Sequence, residues 1–407
     1  MLSMRILMVN KFLYPKGGAE TYFLKIGKYY EEHGHQIQYF GMYDEKNTVG
    51  NAAEAYTYNM DFHEKGIKRI LYPFKIIYSF EAKKKMEQVI ETFKPDIIHF
   101  NNINFQLTPS IIEAAYKRGI PMVQTVHDYQ MLCPNHLFFD VHTQKTCEIC
   151  LSKSKWNCSK KSCIHGSKMK SVIGSVEAIL YGWRKTYEKI DLYICPSYFM
   201  KEKLLTNPIY RNKTVAIHNF IEEIKEFGPI EKEEYVLYFG RLSVEKGFEM
   251  FLNTCKQLPD IKFKIAGTGP MEQLCKDISN VEYVGFKTGK ELDALISQAK
   301  FSVYPSIWYE NCPLSVLESE SLGTPVLATK MGGIPELIED GETGELLEEI
   351  SEKELRSKME KLYYNQDLLE KMSAKCIEKR KKMIVLEEYC EKLMEYYMQV
   401  LKKHKKQ

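Results

Sequence analysis

Short apolar runs bounded by turn residues recur along the chain in two series. The first comprises Met4–Asn10, Gln36–Phe40, Asp96–Phe100, Pro121–Val126, Asp191–Cys195 and Thr214–Ile217, separated by stretches with helical spacing. The second comprises Tyr235–Gly240, Lys262–Gly267, Val281–Gly285, Phe301–Tyr304 and Thr324–Thr329. Runs this short and this evenly apolar suit strands buried on both faces, as in a parallel sheet. After the first run come Gly17-Gly18 and then Ala19, Phe23, Leu24 and Ile26 at helical spacing. Strand, glycine turn and helix in that order open a doubly wound sheet. From Ser351 onward, Leu, Tyr, Glu and Lys at helical spacing predict two or three terminal helices. The pattern therefore predicts an α/β protein with two doubly wound parallel sheets.

Domain boundaries follow from the interval between the series. Glu222–Glu234 is acidic, contains Gly228-Pro229 and reads as a linker, dividing the chain into domains 1–225 and 230–385. The length of 407 residues agrees, since one core seldom serves so long a chain. Two parallel-sheet domains in tandem predict a ligand cleft where the C-terminal ends of their strands face each other. No apolar run is long enough to span a bilayer, and Met1-Leu-Ser-Met-Arg lacks a signal-peptide core. A cytoplasmic protein with no nucleic-acid partner is expected.

The net charge of +3 conceals an asymmetry. Residues 1–225 hold 31 Lys and Arg against 22 Asp and Glu, whereas the remainder holds 26 against 32. An anionic partner for the first half and ordinary surface variation are both open readings. The basic excess concentrates between Lys145 and Lys170, before Val172, Ile173, Val176, Ile179, Leu180 and Trp183 at helical spacing. Weak, salt-sensitive contact with an anionic membrane surface, at the inner face of the cell membrane, is one expectation. Packing of that helix into the core competes with it.

The 11 cysteines are an odd number, and Cys195, Cys255 and Cys275 sit singly in apolar segments, as reduced thiols do. Cys147, Cys150, Cys158 and Cys163 instead crowd into an insertion spanning about 133–170. Their spacing matches a four-thiolate structural zinc site, with Cys133, His142 and His165 as substitutes. Reduced thiols or a local disulfide is the competing reading.

Candidate chemistry falls at strand ends. In Phe239–Gly247, Arg241 and Lys246 share one loop and can aim a guanidinium fork and an ammonium at a pyrophosphate. Glu310–Glu318 carries Pro313 at a helix start, leaving the amides of Leu314 and Ser315 as an anion site. Glu310 can reach a sugar held there, and Glu318, about a turn inside, can accept from a ribose diol. Gly267, within Ala266–Pro270, and the Gly332-Gly333 pair are turns that could serve a ligand or the chain alone. In the first domain Gly17 and Gly18 permit close approach of a ligand to backbone. His127 ends a strand, where it could meet a hydroxyl or an oxyanion.

These motifs in this order resemble the family-4 retaining glycosyltransferases, the glycosyl transferases group 1, found in bacterial cell-surface polysaccharide synthesis. The resemblance rests on Gly17–Glu20, His127-Asp128, Pro196-Ser197, Gly240-Arg241 with Glu245–Gly247, Gly267–Pro270, Glu310–Glu318, Gly323–Val326 and Gly332-Gly333. It implies the GT-B fold, with two Rossmann-like domains facing across a cleft and a terminal helix about 388–407 returning to the first domain. It also implies transfer of a hexose-type sugar from a UDP- or GDP-linked donor to a saccharide or lipid-linked acceptor. Arg241 and Lys246 would then hold the diphosphate and Glu310 the transferred sugar, with Glu318 on the ribose. Leu314, Ser315, Gly17 and Gly18 would line the phosphate site, with His127 near a far hydroxyl of the sugar. Asn219-Phe220 and Asn311-Cys312 depart from the family's usual glycines. No Asp-x-Asp motif is present, and the two cations can stand in for a metal, so catalysis is expected to need no cofactor. A nucleotide-sugar epimerase of the same fold, or a non-catalytic partner subunit, are the alternatives.

Overall fold

A computed structural model describes residues 3–58, 75–223 and 231–405. The expected linker lies largely outside the described residues. The chain forms two compact units, one of Met1–Thr143, Cys147–His218 and Leu386–Gln407, the other of Gln144–Thr146 and Asn219–Val385.

In the first unit the strands are β1 (Arg5–Val9), β2 (Gln36–Phe40), β3 (Ile97–Phe100), β4 (Met122–Thr125), β5 (Leu192–Cys195) and β6 (Thr214–Ala216). They form a parallel sheet in the order β2-β1-β3-β4-β5-β6 among the described residues. Every residue of β3 and β4 is buried, which explains their lack of polar alternation. Three of the unit's helices begin at a serine whose side chain caps them. The Ser79 side chain accepts from the Ala82 amide at the start of α2 (Phe80–Phe93), and Ser197 accepts from Met200 at the start of α5 (Tyr198–Leu205). Between these lie α3 (Ser110–Lys117) and α4 (Lys168–Trp183), while α1 (Gly18–Glu32) follows β1.

The second unit has its own parallel sheet, β9-β8-β7-β10-β11-β12. These strands are β7 (Val236–Phe239), β8 (Phe263–Ala266), β9 (Val281–Gly285), β10 (Phe301–Tyr304), β11 (Val326–Thr329) and β12 (Gly344–Leu347). Its helices include α6 (Phe248–Lys256), α7 (Gly289–Gln298), α8 (Leu314–Ser321), α9 (Glu352–Tyr363) and α10 (Gln366–Arg380). Order reverses beside β7, so the loops after β7 and β10 form the switch point of this sheet. Strand β12 was not expected from the sequence. Glu345 interrupts its apolar pattern, yet is buried because Lys358 and Lys361 of α9 both bond its carboxylate.

The terminal helix α11 (Leu386–His404) belongs to the first unit and is held there by a buried polar network. His99 on β3 lies 2.5 Å from the Tyr397 hydroxyl and 2.8 Å from the Thr125 hydroxyl. Tyr22 of α1 joins them, 3.0 Å from Thr125 and 2.8 Å from the Tyr389 hydroxyl. The Tyr30 hydroxyl donates to the Cys390 carbonyl at 2.8 Å. Such a network contributes where all members are satisfied and fixes one docking register for the helix.

Burial lowers the pKa of His99 to about 3, so the folded state holds it neutral while the unfolded chain protonates it near 6.5. The unfolded state thus binds the extra proton between these values, and stability must fall as pH drops from 6.5 toward 3. Urea unfolding across that range should show the decline. His99→Asn should flatten it, whatever its effect at neutral pH; an unchanged slope would refute the assignment.

Candidate active site

In the second unit the candidate residues converge at the C-terminal end of the sheet. The Lys246 ammonium lies 2.7 and 3.0 Å from the two carboxylate oxygens of Glu310 and donates to the Tyr304 hydroxyl at 2.9 Å. Glu310 is only 5% exposed. Its Oε1 also accepts from the Ser306 hydroxyl and the Trp308 indole N–H, both at 2.6 Å. Oε1 therefore holds three donors, whereas Oε2 receives Lys246 alone among these. The Lys246 ammonium also lies 5.4 Å from the Tyr304 ring centroid and 5.2 Å from that of Trp308, so aromatic faces share its charge.

Backbone contacts fix this cluster. Ile307 donates to the Glu245 carbonyl at 3.0 Å, joining the loop after β10 to the Lys246 loop after β7. The Gly333 amide donates to the Glu310 carbonyl at 2.8 Å, adding the loop after β11. Gly332 makes that approach possible. Its φ is +66°, and a Cβ there would stand 2.1 Å from the Glu310 carbonyl oxygen. Asn219 secures the other side, with its side-chain amide donating to the Cys312 carbonyl at 2.9 Å. The departures at Asn219 and Cys312 thus meet each other.

Arg241 is exposed on the loop after β7, with its carbonyl accepting from the Tyr238 hydroxyl at 2.9 Å. Gly267, after β8, supports this loop. A Cβ at Gly267, whose φ is +140°, would stand 1.9 Å from the Gly240 carbonyl oxygen. Ser315 is nearby too, since a Cβ built on Gly240 would lie 3.8 Å from its hydroxyl. Pro313 precedes α8 as its cap instead of occupying the first helical position. The amides of Leu314 and Ser315 open the helix, where no preceding turn supplies carbonyls for them. Glu318 is half-buried in the second turn of α8.

In the first unit, Gly17 caps α1 with an extended φ of −167°, and a Cβ there would meet only Glu20 at 3.4 Å. No contact within the unit demands glycine at this position. Gly18 is the first residue of α1. His127 Nε2 lies 2.9 Å from Asn101 Oδ1, and its ring packs edge-on to Tyr22 at 5.0 Å. Burial lowers its pKa to about 3, so it is neutral near pH 7. With Nε2–H donating to Asn101, Nδ1 is left as an acceptor.

The cysteines of the expected four-thiolate site cluster within the insertion. Cys150, Cys158 and Cys163 are buried together with Ile149 and Ile164, while Cys147 is only half-buried, held at its backbone by the Phe138 carbonyl at 2.7 Å. All four thiols are free, and Cys158 and Cys163 hydrogen-bond to each other. Among the described residues no group of three or more His, Cys, Asp or Glu is arranged to hold a metal ion.

Sequence reasoning missed Tyr304, Ser306 and Trp308 as the grip on the Lys246–Glu310 pair. Their nearness to Glu310 in the chain was the available signal, with Trp308 one of only 3 tryptophans.

Comparison with known proteins identifies the family and the fold. The family model for Glycosyltransferase Family 4 matches residues 16–223, and that for Glycosyl transferases group 1 matches residues 219–383. An uncharacterized 42.6 kDa protein of the cps region of Klebsiella pneumoniae is 25% identical over 354 residues, covering 82% of this chain and 87% of its own. Among solved structures, sucrose-phosphate synthase from Thermosynechococcus elongatus superposes with a TM-score of 0.72 at 16% identity, covering 98% of this chain and all of its own. Anabaena HepE in complex with UDP gives 0.69 at 17% identity, covering 97% and 100%. The two parallel sheets are thus those of the GT-B fold, and the chain belongs to glycosyltransferase family 4.

Proposed function

We propose that the protein transfers a hexose-type sugar from a UDP- or GDP-linked donor to a saccharide or lipid-linked acceptor, with retention of anomeric configuration and without a metal or other cofactor. The observation that carries this reading is the Lys246–Glu310 cluster beside the start of α8. The cps-region relative supports a setting in cell-surface polysaccharide synthesis, and HepE, described with UDP, supports a nucleotide-linked donor.

The bond that breaks joins the anomeric carbon to the diphosphate oxygen. Arg241, Lys246 and the amides of Leu314 and Ser315 would take up charge developing on the departing diphosphate. Glu310 would orient the sugar through Oε2, the oxygen with acceptor capacity to spare, while Oε1 stays committed to Ser306 and Trp308. Glu318 would accept from the ribose hydroxyls. Attack on the same face through an oxocarbenium-like state would let the leaving phosphate accept the acceptor's proton. His127, neutral, would meet a sugar hydroxyl through Nδ1.

A screen of UDP-, GDP- and ADP-sugars should raise the melting temperature with a UDP or GDP compound, and that compound should be consumed only when acceptor is present. Isomerisation of the donor by protein alone would make it an epimerase; no binding of any nucleotide diphosphate would make it a partner subunit. Hydrogen bonds to charged groups contribute roughly 1.5–3 kcal/mol, or about one to two powers of ten in affinity. Glu318→Gln should therefore weaken donor and free nucleotide diphosphate alike, mainly by raising the donor KM. Glu310→Gln should mainly lower kcat, with a smaller loss of nucleotide diphosphate affinity than Glu318→Gln. Equal loss of nucleotide affinity in both variants would place the sugar pocket elsewhere.

Gly332→Ala tests the support beneath Glu310. Its Cβ would displace the Glu310 backbone, so kcat should fall by about tenfold or more, as misplacement of a reacting group does. Far-UV circular dichroism should stay near wild type. Unchanged kcat would show that this contact positions nothing.

A further inference from the structure

Helix α4 faces the wrong way for an ordinary core helix. Its buried positions are Ser171, Ser175, Glu177 and Tyr181, three of them polar and small or acidic. These seat the helix through hydrogen bonds: the Ser171 hydroxyl accepts from the Ile164 amide at 2.9 Å, and the Ser175 hydroxyl donates to the Lys155 carbonyl at 3.0 Å. Five of its apolar residues form an outward stripe. Met169 is 66% exposed, Val172 36%, Ile179 37% and Trp183 77%, with Val176 partly exposed between them. Spacings of three and four residues place all five along one stripe. The two ends of this stripe, Met169 and Trp183, stand clear of the core, while Val172 and Ile179 between them are about two-thirds covered.

Charge and aromatic residues define what would cover the stripe. Lys168 and Lys170 are exposed at its start, and Lys185 is exposed beyond Trp183. Nearby acids are neutralised or turned away. Glu113 is bound by Arg184 at 2.5 and 2.8 Å, and Glu177 lies on the buried face, where desolvation raises its pKa to about 8. Trp183 borders one shallow cavity with Tyr116 and Lys189, the lysine 5.6 Å from the ring centroid of a tyrosine that is itself 57% exposed. A tryptophan and a tyrosine at the rim of an apolar face, flanked by cations, match the chemistry of a bilayer surface.

We propose that this face of the first unit docks on a membrane surface carrying anionic lipid headgroups, with α4 lying in the interfacial plane and its apolar stripe among the acyl chains. No helix among the described residues is long and apolar enough to cross a membrane, so the contact is one of lying on the bilayer. A second copy of the chain is the poorer occupant. Both ends of α4 are basic, so parallel and antiparallel pairing alike would set cations against cations.

The docking does not depend on the proposed chemistry, and its test needs no substrate. The full chain would be sedimented with vesicles of phosphatidylcholine alone and of phosphatidylcholine with phosphatidylglycerol in equal parts. Binding is expected to the second and much less to the first, and salt should weaken it. Each basic residue near such a surface contributes roughly fivefold in affinity, so Lys168→Gln with Lys170→Gln should weaken binding by about 25-fold. Ile179→Glu should abolish it, while Phe286→Glu, at an exposed position of the other unit, should not change it. Should Ile179→Glu misfold, quenching of tryptophan fluorescence by brominated lipid gives a second reading. It should be seen in the parent and lost in Trp183→Phe. Equal binding to both vesicle types, unchanged binding by the lysine variant, or a dimer that the Ile179 change disperses without vesicle binding would overturn the proposal.

Discussion

The Lys246–Glu310 ion pair is the constraint on which the second unit's site depends. Its two members sit on loops after β7 and β10, neighbouring strands at the point where sheet order reverses. Burying a carboxylate and an ammonium costs several kcal/mol per ion unless other groups complete their bonding. Ser306 and Trp308 do so for Glu310, and Tyr304 does so for Lys246. Removing one partner would leave a desolvated charge, so the cluster holds together as a unit. The Gly332 turn after β11 carries the constraint to a third strand end. Residues that sequence reading assigned separately, one to phosphate and one to sugar, are thereby coupled.

The first unit is organised by a different device. His99, Thr125 and three tyrosines build a buried polar network between its sheet, α1 and α11. Burial that keeps His99 neutral also keeps His127 neutral, at the neighbouring strand end. A neutral imidazole pinned by Asn101 adds no charge at that strand end. The same unit spends its apolar surface unevenly: α4 seats on serines and turns Trp183 outward.

Much of this was legible in the sequence because buried parallel strands announce themselves as short apolar runs. Val281–Gly285 and Phe301–Tyr304 match the observed strands end for end. Strand β12 escaped because Glu345 breaks its pattern and its lysine partners lie one helix further on. The Arg241, Lys246 and Glu310–Glu318 motifs could be found because each follows a strand and a turn residue. Spacing could not show that Lys246 would bind Glu310, since that contact is made across 64 residues. The cysteine spacing marked the cluster that buries Cys150, Cys158 and Cys163 together. Periodicity also found α4 without revealing which side faces the protein, because serines, usually read as solvent positions, make its buried bonds.

Coupling between Lys246 and Glu310 is measured most directly by a double-mutant cycle. Turnover and nucleotide diphosphate affinity would be determined for Lys246→Met, Glu310→Gln and the pair together. If the two side chains act as one unit, the losses in kcat will be strongly non-additive, with the double variant close to the worse single variant and a coupling of about 1 kcal/mol or more. Additive losses, within roughly 0.5 kcal/mol, would contradict the account by showing that the two residues act independently.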